Sequence, residues 1–400
     1  MKKLSSMLLA MLMATSLVAC GGGNTATTEA PAASATAESS EQTQETAAPA
    51  EEAPAMKVAM VTDYGDITDQ SFNQTTYEAA KAFAEANGLE FNYYKPATDA
   101  DADREAMIDR AVEEGFNVIV LPGFAFANAI YTEAPLYPDV KFVALDVSEG
   151  DLTAYGEREF KADNVFSAVY QEELAGYMAG YAAVKLGYKK LGFLGGMAVP
   201  AVIRYGYGFV QGADAAAGEL GLSDVEINYV YGGQFFGDAD ITARMDTWYQ
   251  GGTEVVFACG GGIYSSAAEA AAKVNGKVIG VDVDQAGIID GAYGADMTVT
   301  SAMKGLAATV NTLLSAIRDG KWDEYKGQIQ NLGLVSANPE ENYVQLPAST
   351  QWADGFTEAD YKDLVAKMFS GEIKVDSSSD PEVMPTVTNV KVTNEGAIKG

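Results

Sequence analysis

The stretch KVAMVTDYGDITDQSFNQTTYEAAKAFAEANG (57–88) decides the fold class, because it joins an apolar run to a helical pattern through a polar loop. Its first residues, KVAMVTD (57–63), have the length and apolar character of a buried strand. Its last residues, TTYEAAKAFAEANG (75–88), repeat alanine and aromatic residues at helical spacing and end in Asn-Gly. The stretch therefore predicts a strand that leads through a loop into an α-helix.

The same strand–helix unit recurs along the chain. Further strand candidates are LEFNYYK (89–95), VIVLPG (118–123), KFVALDV (141–147), KLGFLGG (190–196), INYVYGG (227–233), VVFACGG (255–261) and KVIGVDVD (277–284). Further helix candidates are REAMIDRAVEEG (104–115), EELAGYMAGYAAVKLG (172–187) and SSAAEAAAKVNG (265–276). Strands that alternate with helices indicate parallel sheets, buried on both faces and joined by right-handed crossovers.

Eight or more strands are compatible with one barrel or with two doubly wound sheets. A barrel needs eight evenly spaced units, whereas the region 148–171 interrupts the rhythm after four strands. The segment 296–320 then contains a strand and a helix that could return to the first lobe. We therefore predict an α/β fold with two doubly wound parallel-sheet lobes and a hinge.

The predicted boundaries follow these units. Lobe 1 takes residues 56–165 with the return segment 297–322, lobe 2 takes 166–296 with 323–347, and 348–400 form a C-terminal extension. The stretch TEADYKDLVAKMFSGEIKV (357–375) has an apolar helical period. We expect at least one helix in the extension.

Residues 1–19 have the features of a lipoprotein signal peptide. Lys2 and Lys3 precede a short apolar stretch, and LVAC (17–20) closes it in the manner of a lipobox, with Cys20 as the lipidated residue. A plain secretory signal followed by a chance cysteine is the alternative.

Residues 20–55 lack Lys, Arg and aromatic residues, so they predict a disordered tether. We expect a protein anchored by lipid on the extracytoplasmic face of the cell membrane.

The composition excludes several classes of function. The 400-residue chain has a formal net charge of −30, and the basic stripe that a nucleic-acid partner requires is missing. The chain has no histidine, and Cys259 is its only cysteine after Cys20. These counts leave no internal disulfide, no Cys/His metal cluster and no histidine-based triad. We expect no nucleic-acid partner, no metal and no cofactor.

Several predicted strands end in residues that suit a ligand better than a core. They are Asp63, Gly123 with Phe124, Gly195 with Gly196, Gly232 with Gly233, Gly260 to Gly262, and Asp282. In open α/β sheets, ligands bind outside the carboxyl ends of the strands. The sequence therefore predicts a binding site in a cleft between the lobes.

The loop DITDQSFNQ (66–74) supports two interpretations. Asp69 or Ser71 would serve as the N-cap of the following helix. Capping does not account for Phe72, whose ring offers a stacking surface to a flat heteroaromatic base. Asn73 and Gln74 carry donors and acceptors that suit the edge of a base. We place this loop in the ligand site and keep pure capping as the alternative.

The segment GVDVDQ (280–285) puts Asp282 and Asp284 on one face at a strand end. A two-carboxylate hydrolase is one interpretation, but adjacent carboxylates on one strand have no means of separating their pKa values. An ionised carboxylate that accepts hydrogen bonds from two sugar hydroxyls is the simpler use. We assign that role to Asp282, and the alternative is an aspartate that caps the next turn.

Other residues extend the candidate site. In YGGQFFGDAD (231–240), either Phe235 or Phe236 would supply a second ring while the other packs, because neighbouring strand residues face opposite ways. The glycines of FACGGGIY (257–264), Gly261 among them, permit close backbone approach but lack the Lys-Ser/Thr of a phosphate loop. Lys304 is a solvated lysine by default and a cleft cation in the functional interpretation.

These stretches together carry a resemblance to a known family. From Lys57 to about Pro347 the chain resembles the basic membrane protein family of bacterial lipoproteins, the purine nucleoside receptor group among ABC-transporter substrate-binding proteins. The matching stretches, in order, are DITDQSFNQ, EELAGYMAGYAA, LGFLGG, GYGFVQGA, GVDVDQ and TSAMK.

The resemblance implies a type I periplasmic-binding-protein fold, with two lobes joined by three crossovers and a nucleoside between them. It implies stacking by Phe72, base-edge contacts from Asp69 and Asn73, ribose contacts from Asp282, a cleft cation at Lys304, and a lining role for Gly123 and Phe124. It also implies a nucleoside as ligand, purine favoured, and an ABC permease as partner. We expect a monomer without catalytic residues.

The chain departs from the family pattern at two places. YGGQFFGDAD differs from the family's Gly-Ser-Phe pattern, and Gly305 and Leu306 follow Lys304 where the family often has Arg and Asp. A related branch binds riboflavin, which is an alternative ligand. An extracellular nucleoside or glycoside hydrolase and an adhesion module are the alternatives of other classes.

Overall fold

The computed structural model describes residues 55–63, 65–154 and 160–399. The predicted signal peptide, Cys20 and nearly all of the predicted tether lie outside the described residues. The strands are β1 (Lys57–Val61), β2 (Glu90–Tyr94), β3 (Val118–Pro122), β4 (Lys141–Leu145), β5 (Val165–Tyr170), β6 (Lys190–Gly195), β7 (Val225–Tyr231), β8 (Val255–Cys259), β9 (Lys277–Asp282), β10 (Thr298–Lys304), β11 (Ile329–Leu332), β12 (Val344–Gln345) and β13 (Val390–Ala397).

The α-helices alternate with these strands. They are α1 (Phe72–Ala86), α2 (Asp101–Glu113), α3 (Ala127–Glu133), α4 (Glu149–Thr153), α5 (Glu172–Lys185), α6 (Pro200–Leu220), α7 (Ala239–Gln250), α8 (Tyr264–Ala272), α9 (Ala286–Tyr293), α10 (Leu306–Arg318) and α11 (Glu358–Phe369). None of the helices in the described residues is both long enough and apolar enough to cross a bilayer.

The strands form two separate sheets, one in each lobe. The first has the order β11-β5-β4-β3-β1-β2, and its strand pairs are parallel. The second has the order β12-β10-β9-β8-β6-β7-β13, in which only β12 pairs antiparallel. Central strands such as β3 are buried at every residue, as expected for sheets covered on both faces. The predicted fold of two α/β lobes is confirmed.

The two sheets repeat one arrangement. The first five strands of the chain and the next five occupy corresponding places, so β4 corresponds to β9 and β3 to β8. The residue after β3 and the residue after β8 are both glycines with positive φ, Gly123 (124°) and Gly260 (139°). Asp146, directly after β4, and Asp282, at the end of β9, have φ of 62° and 65°. The repeat therefore brings two matching pairs of strand ends to the cleft.

The lobe boundaries differ from the prediction. Strand β5 was not predicted, and it belongs to the first sheet, so the boundary at residue 165 divides lobe 1 at the start of one of its own strands. The return segment 297–322 is shared, since β10 pairs with β9 in lobe 2 while α10 packs on α1 in lobe 1. The segment 323–347 is shared too, because β11 pairs with β5 and β12 with β10. The chain crosses between the sheets at β5–α5, β10–α10 and β11–β12, which are the three crossovers.

The C-terminal extension packs on lobe 2. The helix expected within 357–375 is present as α11, which begins with a capping box formed by Thr357 and Asp360. Strand β13 was not predicted, and it pairs parallel with β7 at the edge of the second sheet. A strand at that place covers backbone groups of β7 that would otherwise form an open edge.

Helices α5 and α6 lie unusually close together because glycines form their interface. A Cβ atom added at Gly176 or Gly180 would overlap the backbone of α6, and one added at Gly208 or Gly212 would overlap the backbone of α5. These glycines lie in the stretches EELAGYMAGYAA and GYGFVQGA. The contact fixes the N-terminal turns of both helices behind the cleft.

Candidate functional site

A cavity of about 480 Å³ lies between the lobes, at the carboxyl ends of strands from both sheets. Most of the predicted site residues line it: Asp63, Asp69, Phe72, Asn73, Gly123, Phe124, Phe235, Phe236, Gly261, Asp282 and Lys304. This placement agrees with the rule that open α/β sheets bind ligands at these strand ends. The binding role of each residue stays a prediction.

Asp69 is the residue that caps α1. Its Oδ1 accepts hydrogen bonds from the backbone N–H groups of Ser71 (2.9 Å) and Gln74 (3.0 Å), and its Oδ2 accepts from the N–H (2.9 Å) and side-chain amide (3.3 Å) of Asn73. Burial raises the pKa of Asp69, although these donors lower it. Because a carboxylate has about four acceptor sites, Asp69 holds the loop in shape and has little capacity left for the edge of a base.

Ser71 and Gln74 do not line the cavity. The Ser71 hydroxyl donates to Asp282 Oδ2 at 2.5 Å, so it contributes by holding a carboxylate of the other lobe. Gln74 accepts a hydrogen bond from the Gln70 N–H (3.0 Å) and donates to Glu78 (2.8 Å) on the helix surface. Successive helical residues point about 100° apart, so Asn73 faces the cavity and Gln74 faces away. The predicted base-edge role of Gln74 is therefore wrong.

The lobe 1 wall consists of tightly fitted polar and aromatic side chains. Asp63 Oδ1 accepts a hydrogen bond from the Gly65 N–H at 2.7 Å. A Cβ atom added at Gly123 would lie 2.8 Å from Asp63 Oδ2, so the strand end needs glycine there for space as well as for its positive φ. Asn73 presents a buried side-chain oxygen, Oδ1, that has no hydrogen-bond partner among the described residues.

The lobe 2 wall carries both predicted phenylalanines. The Phe235 ring packs against Gly196 and Gly260, where an added Cβ would meet ring carbons. The Phe235 carbonyl accepts a hydrogen bond from the Gly262 N–H at 2.8 Å. Phe236 is 61% exposed at the rim of the cavity. Phe235 is therefore packed into the wall, whereas Phe236 is a solvent-exposed ring at the entrance, and both line the same cavity.

A buried cluster of charges forms the floor of the cavity. Lys304 Nζ lies 2.6 Å from Asp146 Oδ2, 3.3 Å from Glu172 Oε1 and 3.8 Å from Asp282 Oδ1. It also lies 4.6 Å from the centre of the Phe72 ring, a cation–π distance. Lys304 is thus the cleft cation of the functional interpretation. Its default interpretation as a solvated lysine is wrong, because its side chain is only 3% exposed.

Burial and charge compete in setting the ionisation of this cluster. Burial alone would lower the pKa of Lys304, but the three carboxylates raise it. Burial raises the pKa of Asp146 to about 6 despite the neighbouring ammonium group. Burial also raises the pKa of Asp282, against the opposing effects of Lys304 and the Ser71 hydroxyl. Glu172 stays ionised, since Arg204 (2.6 Å) and Lys304 together outweigh its burial and lower its pKa.

Several cavity residues were missed by the sequence analysis, and Asp146 and Tyr205 are the two with unpartnered buried polar atoms. Asp146 lies directly after β4, and its Oδ1 is buried without a hydrogen-bond partner in the described structure. The Tyr205 hydroxyl on α6 is also buried and has no hydrogen-bond partner among the described residues. Asp146 carried the signal that identified Asp282, an aspartate after an apolar strand. Tyr205 carried no local signal, because its place in the cleft depends on how α6 packs.

The described residues contain no group of three or more His, Cys, Asp and Glu side chains arranged to hold a metal ion. Cys259 lines the cavity but is buried, and burial raises the pKa of its thiol well above the ordinary value, which disfavours the nucleophilic thiolate. The cavity instead combines aromatic rings with buried hydrogen-bonding groups. That combination is typical of a small-molecule binding site.

Comparisons with known proteins identify relatives of this chain. A protein of Lactococcus lactis subsp. cremoris named "ABC transporter nucleoside-binding protein BmpA" is 27% identical over 324 residues, covering 75% of this chain and 88% of that protein. A lipoprotein of Pyrococcus abyssi is 27% identical over 317 residues, covering 77% and 74%. The crystal structure of an ABC transporter solute-binding protein from Aeropyrum pernix has a TM-score of 0.65 at 23% identity, covering 82% of this chain and 95% of that one.

The family assignment rests on most of the chain. The family model described as ABC transporter substrate-binding protein PnrA-like matches residues 56–378. This range includes both sheets except for β13, and it includes every residue that lines the cavity. The chain belongs to the PnrA-like family of ABC transporter substrate-binding proteins.

Proposed function

We propose that this protein is the extracytoplasmic, lipid-anchored substrate-binding component of an ABC importer and that it captures a nucleoside, preferably a purine nucleoside, between its lobes. The protein is not an enzyme in this proposal. The ligand is held and released unchanged, and closure of the lobes around it presents a form that a permease recognises.

One observation carries the proposal. Aromatic rings from both lobes, Phe72 and Phe235, line the same cavity as three buried polar atoms that lack hydrogen-bond partners in the described residues. These atoms are Asn73 Oδ1, Asp146 Oδ1 and the Tyr205 hydroxyl oxygen. Buried polar groups are nearly always satisfied in native proteins. A ligand with a flat ring and several hydroxyl or amide hydrogens supplies what they need.

The charges favour a neutral ligand with hydroxyl groups. Asp146 and Asp282 flank Lys304, and in this proposal they accept hydrogen bonds from neighbouring hydroxyls of a ribose. Asp63, Asp66 and Asp69 line the same cavity. Because these carboxylates outnumber the lining cations Lys95 and Lys304, a phosphate group is electrostatically disfavoured. We expect nucleosides to bind more tightly than the corresponding nucleotides.

Relatives support the cargo and the anchor by their names. The Lactococcus lactis relative is named a nucleoside-binding protein, and the Pyrococcus abyssi relative is named a lipoprotein. The predicted lipobox assigns the anchor to Cys20. In cells given labelled palmitate, we expect label on the wild-type chain and none on Cys20→Ala. Equal labelling of both would remove Cys20 from this role.

A thermal-shift panel tests the cargo. Purified full-length protein is heated with purine nucleosides, pyrimidine nucleosides, free bases, AMP, riboflavin and simple sugars. A ligand at one hundred times its dissociation constant adds about 2.7 kcal/mol of stability. We expect the largest shift with purine nucleosides. A shift with riboflavin alone would reassign the cargo, and release of hypoxanthine from inosine would make the protein a hydrolase.

A further inference from the structure

The last described residues of the chain end beside the loop that carries Phe235 and Phe236. They lie beyond residue 378, where the family match ends. We propose that the segment 388–399 is a positioning element of the ligand cavity, in which Lys399 is a positioning residue that holds the loop 233–238 in place. This inference rests on the proposed function, because the loop matters as a wall of the ligand site.

The segment follows a path that is fixed before it reaches the loop. At its start, Asp214 Oδ1 on α6 accepts hydrogen bonds from the N–H groups of Thr388 (2.9 Å), Asn389 (2.6 Å) and Val390 (3.1 Å). Strand β13 then pairs in parallel register with β7 from Val390 to Asn394. These contacts determine where the end of the segment emerges.

Anchors on α7 hold the second half of β13. Glu395 forms an ion pair with Arg244 and accepts a hydrogen bond from Trp248 Nε1 at 3.2 Å. The register shifts after Asn394, where Gly396 has a φ of 72°. Ile398 then donates its N–H to the Tyr231 carbonyl at 2.8 Å. Lys399 is thereby placed directly beside the end of β7.

Lys399 contacts both ends of the aromatic loop. Its ammonium group forms an ion pair with Asp238 and lies 3.6 Å from Asp240 Oδ2 and 3.5 Å from Gln234 Oε1. Its backbone carbonyl lies so close to Gly233 that a Cβ added there would be 2.6 Å from the oxygen. The two phenylalanines lie between these contacts.

The groups that Lys399 holds in turn fix the loop backbone. Gln234 Nε2 donates to the Phe236 carbonyl and to Asp238 Oδ2, both at 2.9 Å. Asp238 Oδ1 caps α7 by accepting from the N–H groups of Asp240 and Ile241, both at 3.0 Å. Phe236 is 61% exposed, and its backbone pairs with Gly262 in an isolated β-bridge. Ser266 holds the Asp238 backbone from α8. The network around Gln234 and Asp238 is the restraint on the other side of the loop, and Lys399 supplies its cation.

The first test measures the loop itself and needs no ligand. Hydrogen exchange followed by mass spectrometry compares full-length wild type, Lys399→Met and the control Lys391→Met. Lys391 lies on β13, eight residues before Lys399; its side chain is 75% exposed and approaches Glu226 at 3.9 Å. We expect faster exchange in peptides covering 233–238 for Lys399→Met alone. Unchanged exchange, or equal acceleration in Lys391→Met, would overturn the proposal.

The second test measures binding with inosine as the probe. We expect Lys399→Met to speed inosine dissociation about three- to tenfold in stopped-flow displacement, with Lys399→Arg close to wild type and Lys391→Met unchanged. In a Phe236→Ala background, Lys399→Met should add little, since it acts through the loop. If the effects of Lys399→Met and Phe236→Ala on the free-energy barrier to inosine dissociation were fully additive, Lys399 would not act through the loop and the proposal would be overturned. Failure of wild type to bind inosine would count against the proposed cargo, while the exchange test would still decide the role of Lys399.

Discussion

At the scale of single residues, the cavity depends on strand ends with unusual backbone geometry. Asp146 and Asp282 adopt left-handed conformations, with φ of 62° and 65°. Such residues cost about 1 kcal/mol or more and persist only where the surrounding structure holds them. Here Lys304 and the Ser71 hydroxyl hold them. The strain serves to point two carboxylates into one cleft.

Phe72 gives the simplest test at this scale. Phe72→Ala should weaken inosine binding by about 1–3 kcal/mol, tenfold or more in the dissociation constant, because a stacking surface is lost. Isothermal titration calorimetry measures this directly. Phe369→Ala is the control, since Phe369 is 48% exposed at the end of α11 and does not line the cavity. Wild-type affinity in Phe72→Ala would mean that the ring is not part of the site.

Asp146 predicts a pH dependence. Its pKa is raised from 3.8 to about 6 by burial, with Lys304, Glu172 and Arg204 as the facing charges. A carboxyl group whose pKa is raised on folding increases the free energy of unfolding at low pH. For Asp146 this contribution is complete below about pH 3.8 and is lost as the pH rises through 6.

Ligand binding should show the opposite trend to this stability contribution. A ribose hydroxyl donates to the ionised carboxylate, so inosine affinity should fall as the pH drops below about 6. Titrations from pH 8 to 5 check this, with Asp146→Asn expected to show a flatter profile. The same pH profile in both proteins would assign the effect to another group.

At the scale of elements, the α5–α6 contact determines where the charged floor lies. Gly212→Ala should lower the free energy of unfolding by about 1–3 kcal/mol, because the added methyl meets the α5 backbone. Gly291→Ala is the matched control. Gly291 lies in helix α9, and a Cβ added there would meet no atom within 4 Å beyond its chain neighbours and its own helix backbone. We therefore expect no loss, or a gain of up to about 1 kcal/mol. Urea unfolding measures both, and equal stability of the two variants would contradict the contact.

At the scale of the whole molecule, the lobes are joined across the cleft as well as through the crossovers. Gln285 Nε2 donates to the Gln70 carbonyl at 3.0 Å, and Ser71 donates to Asp282. These bonds stabilise a closed arrangement that a ligand bound to both walls would also favour. We expect inosine to reduce the radius of gyration of the wild-type protein in X-ray scattering. A radius that does not change on saturation would argue against hinge closure.

Much of the site was predictable from the sequence because strand ends are local features. Phe72 and Asp282 were identified from the residues that flank an apolar run. Asp146 has the same local signal and was missed only because its strand was assigned through Val147. Gln74 was misplaced because the helix begins at Phe72, and the direction of each side chain in its first turn depends on that starting point.

The sequence by itself determined the alternation of most strands with helices and the polar character of the strand ends, because apolar periodicity is set by neighbouring residues. Only the tertiary structure decided which lobe receives β5, β10 and β11, and that the end of the chain adds β13 beside the aromatic loop. It also decided that Ser71 meets Asp282, 211 residues away in the sequence. Such pairings depend on the packing of distant elements, for which no local pattern exists.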